Sequence, residues 1–204
     1  MKVAVYGFIG GMGRRYTTIL QHLGHDWSGV DLGIGDARNA ALEADAVIIA
    51  TPTATHVDML RRLKDCGKPI LCEKPFSKDL GELRALIAEL KAAGTRVQMV
   101  NQYDCLAFPR DARGLTVYDY FKSGGDGLEW DCISIVRHAN GEIRLHNQSP
   151  IWNCWINGKQ LSLADMDGAY VEMVDRWLRD PQDDLAKIWR AHKKVYDLIC
   201  QPKS

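Results

Sequence analysis

The sequence has no excess of charge of either sign, because its 204 residues hold 26 Lys and Arg against 26 Asp and Glu. A chain without a net field does not favour nucleic acid or an anionic membrane surface as a partner. No apolar run approaches the roughly 20 residues that span a bilayer, and Met1 leads directly into a strand pattern rather than a signal peptide. These absences predict a cytoplasmic protein with no nucleic-acid or membrane partner.

The sequence also lacks the cysteine patterns of a metal or disulfide protein. Its six cysteines form no C-x-x-C pair and no His/Cys spacing of a zinc site. Free thiols in a reducing compartment are the default interpretation of such a pattern. We therefore predict no bound metal.

A glycine-rich turn is the first feature that points to a function. It follows a β-branched strand pattern at residues 2–6, precedes a helical pattern, and spaces Gly7, Gly10 and Gly13 as G-x-x-G-x-x-G. Glycines let the backbone bend sharply and let a pyrophosphate reach the N–H groups of the helix N-terminus. We predict that these glycines bind a cofactor and that Arg14 adds a phosphate contact. A plain tight turn with a solvated Arg14 is the alternative.

An aspartate follows the glycine turn at the interval expected of the acid that binds an adenine ribose. This residue, Asp31, belongs to a weak strand pattern near 28–32. Its charge would disfavour a 2′-phosphate, which favours NAD over NADP, although the nearby Arg38 leaves NADP open. A turn aspartate without a ligand is equally compatible with the local sequence.

Strand and helix patterns alternate through the first half of the chain. The most apolar strand covers residues 46–50, and we expect it to be central and buried on both faces. A helix near 55–66, a short apolar strand after Pro69, a helix near 79–93 capped by Ser77, and a strand at 96–100 follow. This alternation predicts parallel βαβ units and an α/β fold with a doubly wound sheet of Rossmann type.

A charged pair follows the short apolar strand. Glu73 and Lys74 stand where this strand ends, and Pro75 stops the strand because proline has no N–H to donate to a ladder. Ligands bind at the carboxyl ends of the strands in open α/β sheets, so this pair is a candidate site. A surface salt bridge on a loop is the alternative.

The pattern changes after Asn101. Asn140-Gly141 and Asn157-Gly158 are two-residue hairpin signals between alternating segments, and two helical patterns close the chain. We predict a nucleotide-binding domain at residues 1–104 and a small α+β domain at residues 105–204, with an antiparallel sheet and C-terminal helices.

These motifs, in this order, resemble the Gfo/Idh/MocA oxidoreductases, the family of glucose–fructose oxidoreductase and inositol dehydrogenase. The signatures are the glycine turn, Ala-Thr-Pro at 50–52 with His56, and Glu-Lys-Pro at 73–75. The resemblance covers residues 1–104 and implies a nicotinamide cofactor, NAD or NADP. It places Lys74 near the nicotinamide and the reacting carbon, and Thr51, Pro52, His56 and Glu73 at the cofactor. It also implies a cis bond before the proline.

The chain departs from the family pattern in two places. Residues 31–46 leave little room for the usual third strand and its helix, and the second domain is shorter than in the family. The family also carries a His in a Gly-aliphatic-His-x-x-Asp segment, where this chain has Glu129 at the corresponding position and Asp131 close by. A carboxylate at either position would act as the base if burial raised its pKa towards neutrality.

The predicted function is hydride transfer between a nicotinamide cofactor and a hydroxyl or carbonyl carbon of a sugar, a polyol or a related small molecule. The predicted catalytic residues are Lys74, Glu129 and Asp131. The resemblance also implies a homodimer or higher homo-oligomer formed through the antiparallel sheet. The alternative is a nucleotide-binding module without catalysis that uses that sheet for association. Dihydrodipicolinate reductase shares the glycine spacing, but its His-His-x-x-Lys motif is absent here.

Overall fold

The computed structural model describes residues 1–105, 131–138, 141–148, 151–156, 159–160 and 163–199. These residues fall into two compact units. The first unit is Met1–Val100 with Val174–Arg190, and the second is Asn101–Met173 with Ala191–Ser204. The domain boundary predicted after residue 104 stays a prediction.

The first unit contains a parallel sheet of five strands, as the alternating pattern predicts. Its strands run in the order β2-β1-β3-β4-β5, and all four strand pairs are parallel. Their bounds are β1 Lys2–Tyr6, β2 Asp26–Val30, β3 Ala46–Ile49, β4 Ile70–Cys72 and β5 Val97–Met99. The chain moves from β1 to β2 on one side and returns to β3 on the other side of β1. The reversal opens a crevice at the carboxyl ends of β1 and β3.

Helices connect the parallel strands. They are α1 Gly11–His22, α2 Ala37–Glu43, α3 His56–Leu63 and α4 Leu80–Ala92, with a short 3₁₀ turn at Thr53–Thr55 and another at Gln102–Cys105. Helices α1, α3 and α4 each bury an apolar stripe, which in α4 consists of Leu83, Leu86, Ile87 and Leu90. Burial of such a stripe against the sheet is the main source of helix stability in a protein of this class.

The centre of the core lies where the sequence is most apolar. All four residues of β3 are buried, and β3 occupies the middle of the sheet. At the far edge of the sheet, two residues from near the end of the chain contact β5. The Asp184 N–H donates to the Val97 carbonyl at 3.0 Å. The Gln182 N–H donates to the side-chain oxygen of Gln98 at 3.0 Å. The Arg84 guanidinium also lies 5.1 Å from the centre of the Trp189 ring.

The second unit contains four strands in the order β6-β7-β8-β9. Their bounds are β6 Asp131–His138, β7 Gly141–Gln148, β8 Ile151–Ile156 and β9 Lys159–Gln160, and neighbouring strands pair antiparallel. Two helices, α5 Leu163–Arg179 and α6 Leu185–Ile199, follow these strands. No helix among the residues that the structure describes has the length and apolar character of a membrane span.

Two local expectations change in the structure, and a third is confirmed. Strand β2 ends at Val30, so Asp31 follows the strand instead of lying within it. Residues 31–45 form one short helix and an isolated bridge between Asp31 and Ile34, with no further strand, as the short spacing predicts.

The second change concerns the start of α4, where the predicted Ser77 cap is wrong. Asp79 is the N-cap, since its carboxylate accepts the Glu82 N–H at 2.7 Å. The Ser77 hydroxyl instead donates to the Glu82 carboxylate at 2.6 Å and accepts the Asp79 N–H at 3.0 Å. Two capping residue types lie two positions apart here, and the sequence alone does not say which one has the extended backbone of a cap.

Candidate active site at the carboxyl end of the parallel sheet

The glycine turn joins β1 to α1 by very close backbone packing. Gly7 has φ +80°, and a Cβ added to it would lie 2.6 Å from the Ala50 carbonyl oxygen. A Cβ on Gly13 would lie 2.0 Å from the Gly7 carbonyl oxygen. No side chain fits at either position, so these two glycines set the shape of the turn.

The remaining glycines of the turn lie at the open N-terminus of α1. Gly10 is the N-cap of α1 without a side-chain cap hydrogen bond, and the first turn of the helix carries no acidic residue. A Cβ on Gly11 would meet nothing within 4 Å. Arg14 is exposed on the same turn. N–H groups at a helix N-terminus that has no acidic residue in its first turn suit the pyrophosphate of a dinucleotide.

Asp31 is attached to the glycine turn. Its half-buried carboxylate accepts the Ile9 N–H at 3.1 Å and the Leu32 N–H at 2.9 Å. Each carboxylate oxygen can accept two hydrogen bonds, so these two leave acceptor capacity for a ribose diol. The cleft also has an apolar rim here, because Leu32 is 96% exposed and Ile34 is 45% exposed.

His56 lies between the loops that follow β3 and β4. Its ring is 1% exposed, with Nδ1 2.7 Å from the Pro75 carbonyl oxygen and Nε2 2.8 Å from the Thr51 carbonyl oxygen. The Thr55 hydroxyl lies 2.8 Å from the Thr51 hydroxyl and 2.7 Å from the Pro52 carbonyl oxygen. The buried imidazole therefore connects the loop after β3 to the loop after β4.

Glu73 is buried at the end of β4 with 7% exposure. The Tyr16 phenol donates to its Oε1 at 2.6 Å, and the Lys74 N–H donates to its Oε2 at 3.1 Å. The Glu73 N–H donates to the Ile49 carbonyl of β3 at 2.8 Å. A carboxylate can be buried when its oxygens accept such bonds, and these connect β4 to helix α1.

The peptide bond between Lys74 and Pro75 is cis, in agreement with the resemblance. The Lys74 side chain is half-buried. Cys72, just before this pair, has a pKa well above the usual range, first because the thiol is buried and second because of the Glu73 carboxylate. A thiol that stays protonated is a poor nucleophile, so Cys72 belongs to the core and not to the chemistry.

The structure brings most of the predicted residues to one edge of the sheet. The carboxyl ends of β1, β3 and β4 are neighbours, so the glycine turn, the Thr51–Pro52 loop and the Glu73–Lys74 loop share that edge. Glu129 lies outside the described residues. Of Asp131 only the backbone is described, as the first residue of β6.

The sequence analysis assigns no role to Tyr16, so this member of the site was missed. A buried tyrosine normally has a hydrogen-bond partner for its hydroxyl, and this was the available signal. Its partner lies 57 positions along the chain, a distance that no local pattern reveals. Within the described residues, no three His, Cys, Asp or Glu side chains are grouped so as to hold a metal ion.

The residues present fit a nicotinamide dinucleotide. The fit rests on the two glycine positions that a Cβ would fill, the open N-terminus of α1, and the acceptor carboxylate of Asp31 beside the turn. These groups are complementary to the pyrophosphate and to one ribose of such a cofactor.

Comparisons with known proteins agree with this geometry. Residues 35–101 match the family model of the Gfo/Idh/MocA oxidoreductases, described as an NAD-binding Rossmann fold. An inositol 2-dehydrogenase of Rhizobium meliloti is 48% identical over 52 residues, which cover 26% of this chain and 16% of that protein. The scyllo-inositol 2-dehydrogenase (NAD(+)) of Bacillus subtilis is 44% identical over 55 residues, 27% of this chain and 16% of that protein. The matches thus span less than a fifth of either relative.

Solved structures share the fold at low sequence identity. A probable dehydrogenase from Thermotoga maritima has a TM-score of 0.64 at 12% identity, covering 96% of this chain and 95% of that one. The WlbA dehydrogenase of Thermus thermophilus, in complex with NAD and UDP-GlcNAcA, has a TM-score of 0.60 at 13% identity, covering 100% and 96%.

These findings confirm the predicted family resemblance and the predicted NAD-type cofactor. The segment that matches the family model contains the Thr51–Pro52 loop, His56 and the Glu73–Lys74 pair. Over residues 35–101, the chain is therefore similar to the Gfo/Idh/MocA oxidoreductases.

Proposed function

We propose that the protein is an NAD(P)-dependent dehydrogenase that oxidises a hydroxyl carbon, or reduces a carbonyl carbon, of a polyol, a sugar or a related small molecule. The two relatives named above are inositol dehydrogenases, so cyclic polyols are the first substrates to test. The bound nicotinamide supplies the hydride acceptor or donor, and the protein supplies orientation and charge.

The glycine turn and Asp31 hold the cofactor in this proposal. The pyrophosphate lies at the N-terminus of α1 between Gly7, Gly10 and Gly13, with Arg14 at its outer side. Asp31 accepts hydrogen bonds from the adenine ribose, and its negative charge beside that ribose favours NAD over NADP. Thr51 and Pro52 line the crevice between these two parts.

Lys74 is the catalytic residue of the proposal. Its ammonium donates a hydrogen bond or a proton to the substrate oxygen whose carbon reacts. Glu73 and His56 support the loop that carries Lys74, because both side chains are buried and hydrogen-bonded to the backbone of the crevice loops. Glu129 or Asp131 takes the role of base in place of the histidine of the family.

One observation carries the proposal. The buried Glu73 carboxylate is bonded both to Tyr16 of the glycine-turn helix and to the backbone of Lys74. The lysine and the phosphate-binding turn therefore lie at the same end of the same sheet. A dehydrogenase needs that arrangement, since the nicotinamide and the acid that polarises the substrate must be at one place.

The test is a turnover assay with NAD⁺ and NADP⁺ against myo-inositol, scyllo-inositol and a panel of sugars, followed by the absorbance of the reduced cofactor. Lys74→Met should lower turnover by about 10²–10⁴-fold, the usual contribution of a general acid or base. NADH affinity, measured by cofactor fluorescence, should change little. Lys68→Met, beyond the opposite end of β4, is the matched control. Turnover that survives Lys74→Met would overturn the role given to Lys74.

A second candidate function is a nucleotide-binding module without catalysis. Glu129 stands where the family carries its catalytic histidine, and this substitution favours the alternative. Such a module would use the antiparallel strands of a reduced second domain to form a homodimer or a complex with another protein. NADH binding without any substrate-dependent absorbance change, together with a dimer in sedimentation experiments, would favour the module.

A further inference from the structure

Both ring nitrogens of His56 lie against oxygen atoms that can only accept hydrogen bonds. Nδ1 lies 2.7 Å from the Pro75 carbonyl oxygen, and Nε2 lies 2.8 Å from the Thr51 carbonyl oxygen. Both distances are those of N–H···O hydrogen bonds, which span about 2.7–3.2 Å. The ring is 1% exposed, so bulk water does not compete for either contact.

A neutral imidazole cannot make both of these contacts. It carries one N–H, and its other nitrogen presents a lone pair. In either neutral tautomer, one carbonyl oxygen would face that lone pair at 2.7 or 2.8 Å, and both atoms would be acceptors. Such a contact is repulsive and leaves the carbonyl group without the ring as its donor. Only the imidazolium form, with a proton on each nitrogen, satisfies the two carbonyl groups together.

We propose that His56 is a positioning residue that works as an imidazolium. Its two N–H groups hold the loop after β3, which contains Thr51 and Pro52, and the loop after β4, which contains Lys74 and Pro75. The inference rests on the proposed function for its meaning, because that function assigns these loops to the cofactor and the substrate. The protonation state of the ring can be measured without either of them.

Charged groups of both signs lie on the elements around the ring. Asp58 is in the first turn of α3, and Glu82 is in the first turn of α4, which packs against α3. The loop after β4 carries Glu73 and Lys74, and the loop after β3 carries no charged residue at positions 51–55. Three of these four charged groups are negative, so together they favour a positive ring.

Two features oppose a charge on the ring. The ring is buried, and His56 is the first residue of α3, where the helix dipole is positive. The two short contacts outweigh these features. A neutral ring would lose one contact altogether, whereas an imidazolium makes two charge-assisted hydrogen bonds, each about twice as strong as a neutral one.

The protonation state is tested by long-range proton–nitrogen NMR on the full chain without cofactor. The His56 ring is assigned through its own backbone in the isotope-labelled wild type, so this measurement needs no variant. At neutral pH we expect a proton on both nitrogens of the ring. A proton on only one nitrogen would overturn the proposal.

The positioning role is tested by the pH dependence of NADH binding. Loss of one ring proton removes one of the two bonds and releases one loop. We therefore expect the NADH affinity of the wild type to fall about tenfold as the ring loses its proton, the effect of one hydrogen bond. His56→Gln has no such proton, so its affinity should be lower at neutral pH and constant over the same pH range. His22→Gln, which is exposed at the end of α1, is the matched control and should follow the wild type.

The outcomes are distinct. A doubly protonated ring, with a wild-type NADH affinity that falls as the NMR signal of the second proton is lost, supports the proposal. An affinity that is the same before and after this loss, or that changes in parallel in His56→Gln, overturns the positioning role. If His56→Gln does not fold, the NMR and NADH titrations of the wild type decide. If no NADH binds at any pH, the proposed function fails, and the NMR result still supports or overturns the imidazolium.

Discussion

The two halves of the crevice are built in different ways. The glycine-turn half is shaped by backbone atoms in such close contact that Gly7 and Gly13 leave no room for a Cβ. The Glu73–Lys74 half is held by side chains instead. Tyr16 donates a hydrogen bond to the buried Glu73 carboxylate, and the His56 ring lies within hydrogen-bond distance of two backbone carbonyl groups. The first half should fail by steric clash and the second by loss of hydrogen bonds. The predictions below separate these two kinds of failure.

The largest effect is expected at Gly13. Gly13→Ala would place its Cβ 2.0 Å from the Gly7 carbonyl oxygen, a backbone atom that cannot move without deforming the turn. We expect a loss of about 3 kcal/mol or more in the free energy of unfolding, together with loss of NADH binding. Urea unfolding and NADH fluorescence titration measure the two effects.

Gly11→Ala is the matched control two positions earlier, where a Cβ meets nothing within 4 Å. Alanine should leave the stability unchanged or raise it by up to about 1 kcal/mol, because it is the better helix former. Equal losses of stability in the two variants would show that the turn is not shaped by close packing.

His56 comes next in expected size. Replacement of His56 by Leu keeps a side chain of similar volume but leaves the Thr51 and Pro75 carbonyl groups without their imidazole partner. We expect a loss of about 2–3 kcal/mol in the free energy of unfolding, the cost of leaving buried polar groups unsatisfied. Thermal and urea unfolding provide the measurement.

His22→Leu is the matched control for this variant, since His22 is exposed at the end of α1. Surface substitutions of this kind usually change stability by less than about 0.5 kcal/mol. If both histidine variants lose the same small amount, the bonds to the two loops are not holding the Glu73–Lys74 half together.

The smallest effect at neutral pH concerns Tyr6, which lies on β1 outside both halves. Burial raises the pKa of Tyr6 from 10.0 to about 12. The unfolded chain therefore loses this proton first as pH rises, so the folded state should lose stability between pH 10 and about pH 12. The buried thiol of Cys72, whose pKa is also raised, adds to the loss in the same direction.

Tyr6→Phe removes this ionisation and should flatten the alkaline part of the stability curve measured by urea unfolding at a series of pH values. A curve as steep as that of the wild type would show that Tyr6 does not carry the alkaline loss. At pH 7 the variant should lose only the hydrogen bond between the Tyr6 hydroxyl and the backbone of Ala41, about 1 kcal/mol of stability.

The parallel sheet could be predicted because its signals are local. Ala46–Ile49 is an uninterrupted apolar strand, and it is buried along its whole length at the centre of the sheet. The glycine spacing and the Glu-Lys-Pro motif likewise place their residues at strand ends without any long-range information. The rules for βαβ units then restrict the strand orders that are possible.

The parts that could not be predicted depend on contacts between distant segments. Tyr16 finds Glu73 only after α1 packs against the sheet, and Asp184 finds β5 only after the closing helices return. The choice between Ser77 and Asp79 as a helix cap depends on backbone angles that both residue types allow. Long-range hydrogen bonds therefore separate the predicted members of the site from the one that was missed.

The central claim is that the glycine turn and Lys74 belong to a single crevice that binds a nicotinamide dinucleotide. Protection of lysines from acylation, with and without saturating NADH, tests it most directly. We predict that NADH slows the acylation of Lys74 while Lys68, beyond the amino end of β4, reacts at an unchanged rate. Acylation of Lys74 at the same rate in both samples, with NADH bound, would contradict the account.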